Sequence, residues 1–186
     1  MFDMLIVEDD DFKLRSLKEF ILSYAKDIEI DISNNLKTTI NLINKKQYSL
    51  ILIDMAIPSH PTVPGEGSPH SLLNGGIKVI LELDFLERKD DCIIITQYPD
   101  IEISGQFFPT KTANLKIKEL LDCNVLACIE YSEESDNWKK ELKYYLEKYE
   151  NFNFRRWTWK AWKNRSSDIY NTPRKLDQKF VANKIE

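Results

Sequence analysis

With 186 residues, 42% of them hydrophobic, and a net charge of −4, the chain has the size of one domain with a short appendage and enough apolar content for a core. No apolar run approaches the roughly 18 residues of a membrane span. Met1-Phe2-Asp3 puts no basic region ahead of the first apolar stretch, so neither a signal nor a transit peptide is expected. The charge is uneven: residues 151–186 carry nine Lys or Arg against three acids, a net +6, while residues 1–150 carry 17 against 27, a net −10. This reads as an acidic globular domain over 1–150 and a basic extension over 151–186. Cys92, Cys123 and Cys128 are odd in number, lack metal-ligand spacing and sit in apolar or amphipathic stretches. Buried free thiols of a cytoplasmic protein are the expectation.

In chain order, Met4-Leu5-Ile6-Val7 reads as a buried strand. Phe12, Leu14, Leu17, Phe20, Ile21 and Tyr24 then recur at helical spacing and predict an amphipathic helix over 12–25. Ile28-Glu29-Ile30-Asp31-Ile32 alternates strictly, as a partly covered strand does. Ser33-Asn34-Asn35 caps a second helix running to about Lys45, with Leu36, Ile40, Leu42 and Ile43 apolar. A third strand is predicted over 49–53, then an irregular stretch from Pro58 to about Gly75, where Pro61, Pro64, Gly65, Gly67 and Pro69 argue against regular structure. There follow a helix from Ile77 to Glu87, a strand over 92–96, a long connection from Gln97 to Thr112, and a helix near 113–121. The fifth strand is Val125–Ile129, and a last helix, Asp136–Tyr149, places Trp138, Leu142, Tyr145 and Leu146 on one face. Five strands alternating with five helices predict an α/β fold with a doubly wound parallel sheet.

Three strand ends carry chemistry. Met4–Val7 runs into Glu8-Asp9-Asp10, Leu50–Ile53 into Asp54 with Pro58 four residues on, and Cys92–Ile95 into Thr96. Open α/β sheets build their sites just beyond the carboxyl ends of their strands, so these ends gather an acidic pair, a single Asp and a hydroxyl into one crevice. Glu8-Asp9-Asp10 taken alone is also what an acidic helix N-terminus looks like.

In order and spacing these residues resemble the receiver domain of bacterial two-component response regulators, over about residues 3–149. The resemblance implies a flavodoxin-like or CheY-like five-stranded sheet of order 2-1-3-4-5. It implies that Glu8 and Asp9 hold a divalent metal, magnesium or manganese, with Asp54 and the backbone carbonyl of Ala56. Asp54 would be the phosphoacceptor, Thr96 the switch hydroxyl, and Asp10 the opening of the next helix. It further implies a histidine kinase or related kinase-type partner, and no enzymatic activity beyond self-phosphorylation and dephosphorylation at Asp54. Carboxylates, a carbonyl and waters suit a hard cation that offsets the charge of an incoming phosphoryl group.

The chain also departs from that pattern. Receivers carry a Lys at the end of the fifth strand, but in every register that position here holds Ile129, Glu130 or Tyr131. The following Pro and the preceding aromatic are missing, and Gln97 replaces the usual small residue after Thr96. Either Lys111 or a partner's residue supplies the charge, or the pocket is a relic and the domain is a phosphorylation-independent adaptor. A Toprim-like metal-dependent enzyme is a further alternative. It needs an Asp-x-Asp pair at a later strand end, where Asp54-Met55-Ala56 offers one Asp.

Loops beside a site often carry function. His60 and His70 in the Pro58–Gly75 stretch read as solvated spectators rather than metal or phosphorelay groups, and Phe107-Phe108 reads either as packing or as a contact patch. The extension crowds Phe152, Phe154, Trp157, Trp159 and Trp162 among Arg155, Arg156, Lys160, Lys163 and Arg165. That mixture is open to folding back on the domain, to a protein contact or to nucleic acid. Its 36 residues, interrupted by Pro173, are too few for a helix-turn-helix, so sequence-specific DNA binding is not expected.

Overall fold

Met4–Val7 and Leu50–Ile53 are almost wholly buried, as strands covered by helices on both faces must be, and this is why each is an unbroken apolar run. They are β1 (Phe2–Val7) and β3 (Leu50–Ile53) of a computed structural model that describes residues 2–24, 28–61 and 71–149. The other elements are α1 (Asp11–Tyr24), β2 (Ile28–Ser33), α2 (Leu36–Ile43), β4 (Ile57–Pro58), β5 (Ser71–Leu72) and α3 (Gly75–Phe85). Then come β6 (Asp91–Thr96), β7 (Asp100–Ile103), β8 (Gln106–Pro109), α4 (Thr110–Leu121) and β9 (Ala127–Glu130). A last helix, α5, spans 137–149. Residues up to Leu146 form one compact unit. The aromatic and basic residues of the extension lie outside the described residues, as does His70.

The main sheet has the order β2-β1-β3-β6-β9 with every pair parallel, which is the expected 2-1-3-4-5 among its five strands. The strictly alternating β2 lies at the edge and is partly covered, with Ile28 and Ile30 half-buried and Ile32 exposed. Asn35 caps α2 by accepting the Thr38 N–H at 2.8 Å.

Both long connections hold short strands. The described ends of the Pro58–Gly75 stretch pair as β4 with β5, Ile57 opposite Leu72. The Gln97–Thr112 connection is a hairpin, β7 against β8, with Ile103 opposite Gln106. Its two-residue turn, Ser104-Gly105, has φ of 52° and 78°, the paired positive values of a type I′ turn whose twist suits antiparallel strands. Ile101 and Ile103 point into the core, Phe107 is exposed, and Phe108 packs against the core, so the adjacent phenylalanines divide between the two alternatives. The hairpin runs directly into α4, which starts at Thr110 rather than near 113. Likewise α3 starts at Gly75, not Ile77, and β9 is Ala127–Glu130, not 125–129.

The start of α3 presses on the exit of β3. A Cβ on Gly76 would lie 2.6 Å from the Asp54 carbonyl oxygen and 3.1 Å from the Met55 Cα, contacts with backbone that no rotamer change relieves. Gly76→Ala is therefore expected to destabilise the fold by about 1–3 kcal/mol. Denaturant unfolding checks this, and a loss within error would show that the helix can shift freely.

Candidate functional site

The sheet ladder continues one residue past the apolar runs. The Asp54 N–H donates to the Val7 carbonyl at 2.9 Å, and the Glu8 N–H to the Ser33 carbonyl at 2.9 Å. Consequently the acids that end β1 and β3 stand side by side. Ligand oxygens of Glu8, Asp9 and Asp54 all lie within 4.8 Å of one another. Glu8 and Asp54 are buried and Asp9 is not. Asp10 is a helix cap: its Oδ1 accepts the Lys13 N–H at 2.8 Å, and its own N–H donates to Glu8 Oε1 at 3.0 Å.

Capping at Asp10 fixes the rotation of α1, which buries the expected Leu17 and Ile21 and half-buries Leu14 and Phe20, but leaves Phe12 outside. Phe12 is 54% exposed, whereas Lys13, Leu17 and Ile21 form the buried stripe at i, i+4 and i+8. Lys13 thus points into the crevice. Its Nζ donates to Asp54 Oδ1 at 2.6 Å and to the Ile95 carbonyl at 2.8 Å, and it stands 2.7 Å from Glu8 Oε2. The second Asp54 oxygen, Oδ2, accepts the Ala56 N–H at 2.8 Å. Although Glu8 Oε2 is within ion-pair range of the ammonium, no hydrogen bond is directed onto it. The Tyr131 ring lies over the amine, 5.6 Å from Nζ to centroid, and Trp138 packs on Tyr131 and Phe20.

The electrostatics follow from burial. Desolvation pushes the Glu8 carboxyl up to about 7, opposed by the Lys13 charge and reinforced by that of Asp54. For Lys13, burial acts to lower the amine, but the charges of Asp54 and Glu8, with the hydrogen bond to Asp54, outweigh it and hold the amine above its ordinary value.

Thr96 closes β6, fully buried, and its Oγ1 accepts the Tyr98 N–H at 3.3 Å. Opposite it in the ladder is Glu130, exposed, and the Tyr131 N–H donates to the Thr96 carbonyl at 2.7 Å. Lys111 is exposed on α4, so the cation that meets Asp54 comes from the first helix instead. A Lys on the apolar stripe with Leu17 and Ile21 is a signal the sequence did contain. His60 is exposed and bonded through Nδ1 to Ser59 Oγ at 2.7 Å. All three cysteines are free and buried; burial pushes Cys92 and Cys128 up to about 12 and Cys123 upward too, as inert thiols require. Among the described residues, no helix is long and apolar enough to cross a membrane.

A parallel 2-1-3-4-5 sheet with acids at the ends of its first and third strands defines a receiver-type protein. No family model matches the chain. It is 32% identical over 146 residues, 77% of this chain and 98% of the relative, to the Detocs response regulatory protein DtcB of Vibrio alginolyticus. It is 19% identical over 140 residues, 75% of this chain and 93% of the relative, to an uncharacterized protein, y4jR, of Sinorhizobium fredii. Two solved structures share the fold. One is the Mn(2+)-bound response regulator Rcp1, at TM-score 0.53 and 16% identity, covering 77% of this chain and 90% of that one. The other is a LuxR-family DNA-binding response regulator of Staphylococcus aureus, at TM-score 0.52 and 17% identity, covering 80% and 98%. The chain belongs to the response-regulator receiver family, and its role is in signal transduction.

Proposed function

We propose that this receiver accepts a phosphoryl group on Asp54 from a histidine kinase or related kinase-type partner. Magnesium or manganese would be held by Glu8, Asp9, Asp54 and the Ala56 carbonyl, and Thr96 would respond to the new charge. The observation that carries this reading is the site's donor set: three carboxylates within 4.8 Å, one of them at the end of the central strand β3. Such oxygen ligands fit a hard divalent cation, and the buried Oε2 of Glu8, with no hydrogen bond directed onto it, is a ready ligand. When bound, the metal neutralises charge on the entering phosphoryl oxygens. The chain's own groups do the rest: the Ala56 N–H orients Asp54 through Oδ2, and the Tyr131 ring lies over the Lys13 amine.

Incubation with acetyl phosphate and magnesium is expected to add the mass of one phosphoryl group to the wild-type protein and none to Asp54→Asn. Modification that persists in Asp54→Asn would remove Asp54 from this role. A second reading rests on the Lys13–Asp54 ion pair, which stabilises the unmodified carboxylate. On that reading the domain is a phosphorylation-independent adaptor, and the wild-type protein stays unmodified at saturating donor.

A further inference from the structure

We propose that Lys13 is the phosphoryl-binding lysine of this receiver, supplied by the first helix in place of the cation that the fifth parallel strand lacks. The inference rests on Asp54 being the phosphoacceptor and adds the residue that meets the transferred group.

Four observations support it. The Lys13 ammonium already touches a reacting atom, Asp54 Oδ1, at 2.6 Å. Its second anchor, the Ile95 carbonyl at 2.8 Å, belongs to the residue before Thr96, so the amine bridges the two strand ends where the modified carboxylate and the switch hydroxyl lie. At the end of β9, Glu130 is exposed and Tyr131 is buried, so that strand brings no positive charge. Finally, Lys13 is the buried lysine among the described residues, on a helix face otherwise made of Leu17 and Ile21. An amine in that stripe is costly to desolvate unless its charge is used against the acids it faces.

In the transfer, an Asp54 carboxylate oxygen attacks phosphorus and forms the new P–O bond. The bond from phosphorus to the donor breaks, and its electron pair leaves with the donor, as acetate when acetyl phosphate is used. Lys13 stays protonated throughout. As charge moves from the Asp54 carboxylate to the phosphoryl oxygens, the ammonium follows it by releasing Glu8 while keeping the Ile95 carbonyl. A protonated amine on a phosphoryl oxygen makes a charge-assisted bond, roughly twice as strong as a neutral one.

Two measurements test this. In protein labelled with 15N-lysine, a beryllofluoride adduct formed with magnesium is expected to shift the Lys13 Nζ resonance and give it a through-space contact to fluorine. An adduct with an unmoved Nζ signal and no such contact overturns the inference. In the second measurement, Lys13→Met is expected to slow modification by acetyl phosphate on the order of 10²-fold at saturating magnesium, as loss of one preorganised charge donor does. Equal rates in the two proteins overturn it. Should Lys13→Met not fold, the resonance measurement on the wild-type protein decides alone. If the wild-type protein forms neither adduct nor phosphoryl group, the phosphoacceptor reading fails first and this inference falls with it.

Discussion

Lys13→Met is expected to cost the metal-free protein about 3–5 kcal/mol at neutral pH, the range for removing one partner of a buried ion pair. The side chains of Lys13 and Glu8 are each 2% exposed and that of Asp54 8%, so water cannot replace the lost counter-charge. Met keeps an unbranched apolar stem beside the Tyr131 ring, which confines the change to the ammonium. Urea denaturation in a chelator measures the effect. Two controls locate its origin. Adding Glu8→Gln and Asp54→Asn should recover most of the loss, because the acids then need no cation. Magnesium should stabilise Lys13→Met more than wild type, because the ion then supplies the only local positive charge besides the helix terminus. A loss below about 1 kcal/mol would place the amine in solvent rather than in the pair.

The sheet was legible because continuous apolar runs have few alternatives once each ends in a polar cluster. Met4–Val7, Leu50–Ile53 and Cys92–Ile95 could be placed, and with them Glu8, Asp54 and Thr96. Two features were not. The hairpin of β7 and β8 was missed because Gln97–Thr112 reads only as one long connection between a strand and a helix. The informative pattern, Asp100-Ile-Glu-Ile followed by Ser104-Gly105, was short. The inward lysine was missed because periodicity weighs hydrophobic residues: it placed Leu17 and Ile21 on the buried face but passed over Lys13, one turn before Leu17, and took the exposed Phe12 instead. What set the rotation was the cap: Asp10 accepts the Lys13 N–H, and this brings residue 13 over the sheet. A charged residue in an apolar stripe, at a distance of one helical turn from an acidic strand end, was therefore the mark of the site's cation. The absent fifth-strand lysine and the present first-helix lysine are two sides of one observation.

Glu8→Gln is expected to remove most of the acid-side dependence of stability and to leave the metal-free protein more stable than wild type at pH 8. Burial raises the Glu8 carboxyl from its ordinary 4.5 to about 7, so between these values the folded protein binds a proton that the unfolded chain has released. Stability then falls as pH rises. The favourable contribution is complete below pH 4.5, declines through the interval, and is gone above 7. A rise of this size corresponds to roughly 3 kcal/mol. Gln keeps the shape and stays neutral at every pH, so it escapes the loss. Wild type and variant should match near pH 4.5, diverge up to about pH 7 and stay apart by a constant margin to pH 8 in thermal unfolding with a chelator present. Magnesium should reverse their order at pH 8, because an ion on the Glu8 carboxylate favours its charged form and the variant offers no such ligand. Parallel stability curves across that pH range would show that Glu8 is ionised in the fold throughout, with Lys13 fully compensating its burial.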